Sequence, residues 1–471
     1  MFLLAASSST KVVDVTLRPS EIPKQQTFPF LHNIASGPPR TSNHLGIDPG
    51  VRTGAAGSGG LLPGLSTAEQ QFATAAMFWF QQPWTVPVPV TPTNPLPGLG
   101  PRYNANGCSA CHAYPATGGS GPPTNNEYAQ ASLNGATNTV PSFITSNGPT
   151  RALYQISTGT LLKLYTIQGM SIGVTNTCAL AQPDFATLVA NNDLSYHIPV
   201  PLFGIGLVEA TPSTNLLNAQ NPPRMANLGI TAARFNRSAD GISTIGWKGA
   251  ASSVEYFAAL ALSTELDVTT QIFARKDDET PGCLFNPLPE DGPAVVRRTA
   301  NSSSLTADYA SLQVLDAAAV RYLAPPIPVT SYTSSVVGNV SSASIANGQA
   351  KFIAAGCDAC HVQIQTTGSS SMTGQSNLQY FPWSDYALHN MGTGLADGLS
   401  QGAAGPQDFR TSALWGIGQR LFLLHDGRAT DLNDAIQAHK SADSEGNTTV
   451  DNFNNLSTAD QQSVLNFLRS L

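Results

Sequence analysis

The chain has 471 residues, enough for roughly two to four domains by size, yet charged residues make up only 11% of it, and much of its polarity comes from Ser, Thr, Asn and Gln beside 41 glycines. A net charge of −7 with scattered Lys and Arg excludes the basic footprint of a nucleic-acid binder. No apolar run reaches the roughly 18 residues of a membrane-spanning helix, and the composition suits an exported, loop-rich protein.

In chain order, residues 1–65 are rich in Gly, Pro and Ser and predict an extended, irregular lead-in that wraps rather than packs. Its opening, MFLLAASSSTK, is too short an apolar piece for a signal peptide, so an export signal has been removed or the start is truncated. A first domain is expected over 66–323, with GCSACH at 107–112. The stretch APPIPVTSYTSSVVGNVSSAS, 324–344, reads as a linker. A second domain over 345–471 carries GCDACH at 356–361. Before that motif, SASIANGQAKFIAAG predicts a helix ending at Gly356. The chain closes on STADQQSVLNFLRSL, where Val464, Phe467, Leu468 and Leu471 recur at helical spacing behind a Ser457/Asp460 capping box. The expected fold is therefore mainly α: two cytochrome c-like domains with long irregular insertions.

Three chemistries use Cys-x-x-Cys. A redox dithiol needs a strand and helix of thioredoxin type, and no alternating pattern leads into either copy. A structural zinc site needs four ligands, and neither pair has a nearby Cys or His to complete it. Covalent c-type haem fits both copies: Cys108 and Cys111, then Cys357 and Cys360, attach the porphyrin, while His112 and His361 become the proximal iron ligands. Two haems c are thus the expected cofactors. The remaining cysteines, Cys178 and Cys283, lie in two insertions of the first half and would pair outside the cytoplasm, or else stand as separate buried thiols.

The segment FRTSALWGIGQRLFLLHDGRATDLNDAIQAH, 409–439, with SDYALHNMGTGLADG before it and FLRSL at the end, resembles the bacterial di-haem oxidoreductase family, relatives of the di-haem cytochrome c peroxidases. GLGPRYNANGCSACH and PVPLFGIGLVEATP extend the likeness into the first half. In the peroxidases the residue fourteen places after the histidine of H-D-G is the distal ligand of the electron-transfer haem. Counted from His425 that residue is His439, which makes the second haem bis-histidine, with His389 and Met391 as rivals. WKGAASSVEYFAALA, from Trp247, echoes the HDGR segment, and its register places Ala261 opposite His439. Alanine cannot ligate iron, so the first haem has an open face unless His197, Met170 or Met225 fills it. The resemblance makes Trp247 an electron relay between the haems and Glu265 the distal carboxylate, against the plainer readings of a core aromatic and a solvated helical charge. Phe257 stands where the peroxidases have a glutamine, and Tyr128 where some resting peroxidases have a ligating histidine. Arg410, Arg420 and Arg428 are candidate partners of haem propionates.

The function implied is a peroxidase-like oxidoreductase, periplasmic or extracellular, with a reactive first haem and an electron-transferring second haem. Its partners would be hydrogen peroxide and a small cytochrome or cupredoxin. A calcium ion between the domains belongs to the same resemblance. The alternatives are a pure electron carrier with both irons six-coordinate, and oxidation of a partner protein at long range. The family's thiol label finds no spare Cys-x-x-Cys for dithiol exchange.

Overall fold

The computed structural model describes residues 46–85, 98–170, 178–238, 241–283, 290 and 311–471. His32, His44 and most of the predicted lead-in fall outside the described residues. Helices form where the sequence offers a cap and an uninterrupted apolar stripe. The first, α1 (Thr67–Gln81), has a complete capping box, with Ser66 and Glu69 satisfying each other's backbone N–H. It is followed by α2 (Val254–Leu266), capped by Ser253, and α3 (Leu312–Arg321). Then come α4 (Ser342–Ala355), stopped by Gly356 at φ 96°, α5 (Leu432–Ala438) and α6 (Thr458–Ser470), capped by Ser457 as its sequence predicts.

Two helix pairs organise the core. The α1 helix packs on α3, and α4 packs on α6. Behind the second pair, Phe352, Trp383 and Phe467 meet edge to face with centroids 5.0–5.7 Å apart, a geometry that suits aromatic quadrupoles. The α4–α6 crossing is close because Gly348 has no side chain: a Cβ there would lie 1.8 Å from the Ser463 carbonyl oxygen. Gly348→Ala is therefore expected to destabilise the protein by about 1–3 kcal/mol through overpacking, read as a lower denaturation midpoint.

The mainly helical expectation holds only in part, since 34% of the chain is helical and loops and small sheets make up much of the rest. The 41 glycines and 34 prolines repeatedly end helices before a second turn forms. The described sheets are all antiparallel. The widest has three strands, Thr160–Leu162, Ala152–Gln155 and Leu194–His197. A hairpin of Tyr332–Ser334 and Gly338–Val340 occupies the stretch predicted as linker. Cys178 and Cys283 form a disulfide, with Cα atoms 4.6 Å apart. The described end of the lead-in lies against α6: Asp48 pairs with Arg469 at 2.7 Å, and Gly46 N–H donates to Gln461.

Candidate haem sites

The two halves repeat one local scaffold. An antiparallel bridge joins Ile245 to Ala251 in the first copy and Leu423 to Ala429 in the second. Gly249 and Gly427, inside those turns, have φ 62° and 74°. Each turn leads to a capped helix, Ser253 before Val254 and Asp431 before Leu432. Within this turn-and-helix segment each second-copy residue stands 178 positions after its counterpart, as 431 does after 253. A second shared segment, LFGIG and LWGIG, places Gly206 against the Arg321 carbonyl of α3 and Gly418 against the Arg469 carbonyl of α6. The copies also interlock. Arg410 N–H donates to the Trp247 carbonyl at 2.9 Å, and Ile198 N–H, its counterpart, donates to the His425 carbonyl at 2.7 Å.

Both Cys-x-x-Cys-His motifs fold into one tight turn. His112 N–H returns to the Cys108 carbonyl at 3.0 Å, and His361 N–H to the Cys357 carbonyl at 2.9 Å. Each ring is oriented through Nδ1–H, which donates to the Gly119 carbonyl at 3.0 Å in the first copy and to the Trp383 carbonyl at 2.9 Å in the second. In the second copy that bond leaves Nε2 free, the usual arrangement for a ligating histidine, whereas the His112 ring also meets the Val200 backbone. Burial holds both imidazoles down to about 4, neutral and able to coordinate. Phe80 of α1 and Phe352 of α4 flank the two rings at 6.4 and 6.1 Å.

The second motif opens into a cavity of about 1410 Å³ of atom-free space, its open mouth included. Cys357, Cys360, His361 and His439 all line it. His439 caps α5 and donates Nδ1–H to the Ala435 carbonyl at 2.7 Å, so its Nε2 is also free. Arg410 and Arg420 line the same wall, buried and without a carboxylate partner among the described residues. A pair of free cysteines, two free imidazole nitrogens and two cations without an ion-pair partner fit a haem with its propionates. His389 does not serve as a ligand, because Asp385 and Glu445 hold both ring nitrogens at 3.0 and 2.8 Å. Burial opposes its charge, but Cys360 and Asp385 keep its pKa well above the ordinary value. Arg428 is also engaged, pairing with Asp426 at 2.6 Å and the Gly394 carbonyl at 2.7 Å.

Around the first motif, Ala261 occupies the position of His439. The α2 helix runs 13 residues where α5 runs 7, and the extra turns bring Glu265 into the interior. Its carboxylate accepts from Asn104 Nδ2 at 2.6 Å. Burial raises its pKa against the opposing pull of Asn104 and Lys163. Trp247 belongs to the first copy yet lines the second cavity, its Nε1–H donating to the Ile198 carbonyl at 2.8 Å. Met170 is packed in an apolar cluster with Tyr103 and Leu262. Met225 packs against Ala359 and Cys360 of the other motif. His197 gives Nε2 to Asp397 at 2.9 Å, and Tyr128 is 50% exposed.

The family described as "Di-haem oxidoreductase, putative peroxidase" matches residues 185–471. The chain belongs to the di-haem oxidoreductase family. No curated protein matches it. Among solved structures, hydrazine synthase of Kuenenia stuttgartiensis, pressurized with xenon, is 15% identical with a TM-score of 0.22. The match covers 41% of this chain and 65% of that one, less than two thirds of its length.

Sequence reasoning passed over several charged groups of this di-haem oxidoreductase. Lys248 is fully buried, with Asp397 at 3.0 Å and the Gly405 and Asp408 carbonyls at 2.9 Å. Asp397 in turn holds His197, whose ring lies 5.6 Å from that of His425. Glu127 is 2% exposed, and burial pushes it up to about 8 despite hydrogen bonds from Arg151 N–H and Asn125. A lysine or glutamate in a loop gives no sequence signal of such burial. Among the described residues no group of three or more His, Cys, Asp or Glu is gathered for a metal ion, so a calcium ion has no ready carboxylate cluster there. No described helix is long and apolar enough to cross a membrane.

Proposed function

We propose that this di-haem oxidoreductase is an exported two-domain c-type cytochrome that reduces hydrogen peroxide, with a reactive first centre and an electron-transferring second one. The observation that carries the reading is the matched register of the two copies, which gives His439 to one site and Ala261 to the other. When bound, haem would supply peroxide-binding iron at the first site and an electron store at the second. Cys108, Cys111, Cys357 and Cys360 would attach the two groups, His112 and His361 would be proximal ligands, and His439 would close the second centre.

Glu265 would take a proton from peroxide and return it to the departing oxygen, while Asn104 fixes the carboxylate. Two electrons from a small redox protein and two protons complete the conversion of peroxide to two waters. Trp247, between the copies, lies on the route those electrons would follow. The Cys178–Cys283 disulfide agrees with an oxidising compartment outside the cytoplasm.

Absorption and EPR spectra of the oxidised protein, with and without cyanide, test this reading. A high-spin ferric signal that cyanide converts to low spin is the expected result. Two low-spin centres that ignore cyanide would make the protein an electron carrier instead. A second test addresses His439. Since methionine ligation raises a haem's potential, His439→Met should raise the second centre's midpoint in a spectroelectrochemical titration, and an unchanged midpoint would remove His439 from the coordination sphere.

A further inference from the structure

Arg410 and Arg420 are 6% and 8% exposed. The Arg410 guanidinium donates only to backbone, to the Gly246 carbonyl at 2.7 Å and the Thr411 carbonyl at 2.9 Å. No described carboxylate pairs with either side chain, and burial lowers both to about 10, with Arg410 lowering Arg420 further. Of the described carboxylates only Asp385, at longer range, offsets the Arg410 charge; two neighbouring buried cations with no ion-pair partner are costly, so this place in the fold suits anions.

Both arginines also wall a second cavity of about 520 Å³ of atom-free space. Its lining includes Ile205, Ile245 and Phe257, the first-copy counterparts of Ile417, Leu423 and Ala435 in the large cavity. It is therefore the first copy's version of the second haem cavity. A third small hollow brings Arg420 together with Tyr114 and Pro115, two and three residues after His112. The first copy has no cations of its own here, since Ile198 stands at the counterpart of Arg410 and Val208 at that of Arg420, each 212 positions earlier.

We infer that Arg410 and Arg420 form one anion-holding pair shared by both haem sites, binding carboxylate groups of the first haem as well as the second. The first centre borrows from the second copy the cations that its own sequence lacks. Positive charge at a haem edge favours the reduced, more negative state, so one pair facing both centres sets both potentials together. This inference rests on the reading that both motifs carry haem.

The test is a spectroelectrochemical titration of the haem-loaded full chain, resolving the two midpoints, in wild type, Arg420→Gln and Arg420→Lys. Haem content by pyridine haemochrome is measured first, and two haems per chain keep the premise intact. The expected result is that Arg420→Gln lowers both midpoints and Arg420→Lys largely restores them. A fall confined to the second centre, or no fall, overturns the shared role. Should Arg420→Gln fail to fold, resonance Raman of Arg420→Lys decides the matter through the propionate bending modes: both haems shift if the pair is shared, and one or none if it is not. Closure of the first iron to cyanide would defeat the peroxidase reading but leave these measurements interpretable.

Discussion

Glu265→Gln is expected to lower peroxide turnover by about 10²–10⁴-fold, the usual weight of a positioned general acid–base, while both haems stay attached. The motif cysteines proposed to attach the haems lie elsewhere in the chain, and glutamine keeps an oxygen to accept from Asn104 Nδ2, now 2.6 Å from the carboxylate. Proton transfer is thus removed with little disturbance of shape. The pH profile carries a second signature. Burial raises the Glu265 pKa, opposed by Asn104 and Lys163, and a base works only in its ionised form. The acid limb of kcat/KM should therefore lie above the ordinary carboxylate range of about 4, and it should disappear in the variant. Turnover within about twofold of wild type would take Glu265 out of the mechanism.

What the sequence makes legible is what rests on short spacing. Cys-x-x-Cys-His contains its own geometry, and the turns at 107–112 and 356–361 carry the same backbone bond. The step from His425 to His439 spans one turn and one helix, and both residues line the second cavity. The comparison of WKGAA with HDGRA gives the register that the paired bridges and helix caps display. Groups that meet across long loops leave no such trace. Lys248 finds Asp397 and the Asp408 carbonyl only after the fold closes, and composition places a lysine at the surface by default. His389 reads as a ligand from LHNMG because the sequence does not reveal that two carboxylates already hold its ring. Arg428 is likewise taken by its near neighbour Asp426. The fold class is only partly legible for a related reason: apolar periodicity marks the helices, whereas the two- and three-residue strands are too short to show alternation.

Asp48→Ala is expected to destabilise the protein by about 3–5 kcal/mol, the cost of leaving a buried charge without its partner. Arg469 on α6 is 0% exposed, and its guanidinium meets Asp48 twice, Nε to Oδ1 at 2.8 Å and Nη2 to Oδ2 at 2.7 Å. The pair joins residues 421 positions apart, so it ties the lead-in to the last helix. Asp48 Oδ2 also accepts from Leu432 N–H at 2.7 Å, at the start of the helix that ends in His439. Loss of the carboxylate should therefore both lower the denaturation midpoint and broaden the low-spin signal of the second centre as α5 loosens. Burial alone would raise the Asp48 pKa, but Arg469 and the backbone donors of Leu432 and Gly50 bring it below the ordinary value. A depressed carboxylate stabilises the fold above its unfolded pKa of about 3.9 and loses that contribution as pH falls through the folded value. Asp48→Asn should flatten that acid limb, because the amide cannot titrate. A variant that unfolds at the wild-type midpoint with the wild-type acid profile would show that the Asp48–Arg469 tie adds nothing to the fold, and α5 would then hold His439 through its apolar face alone.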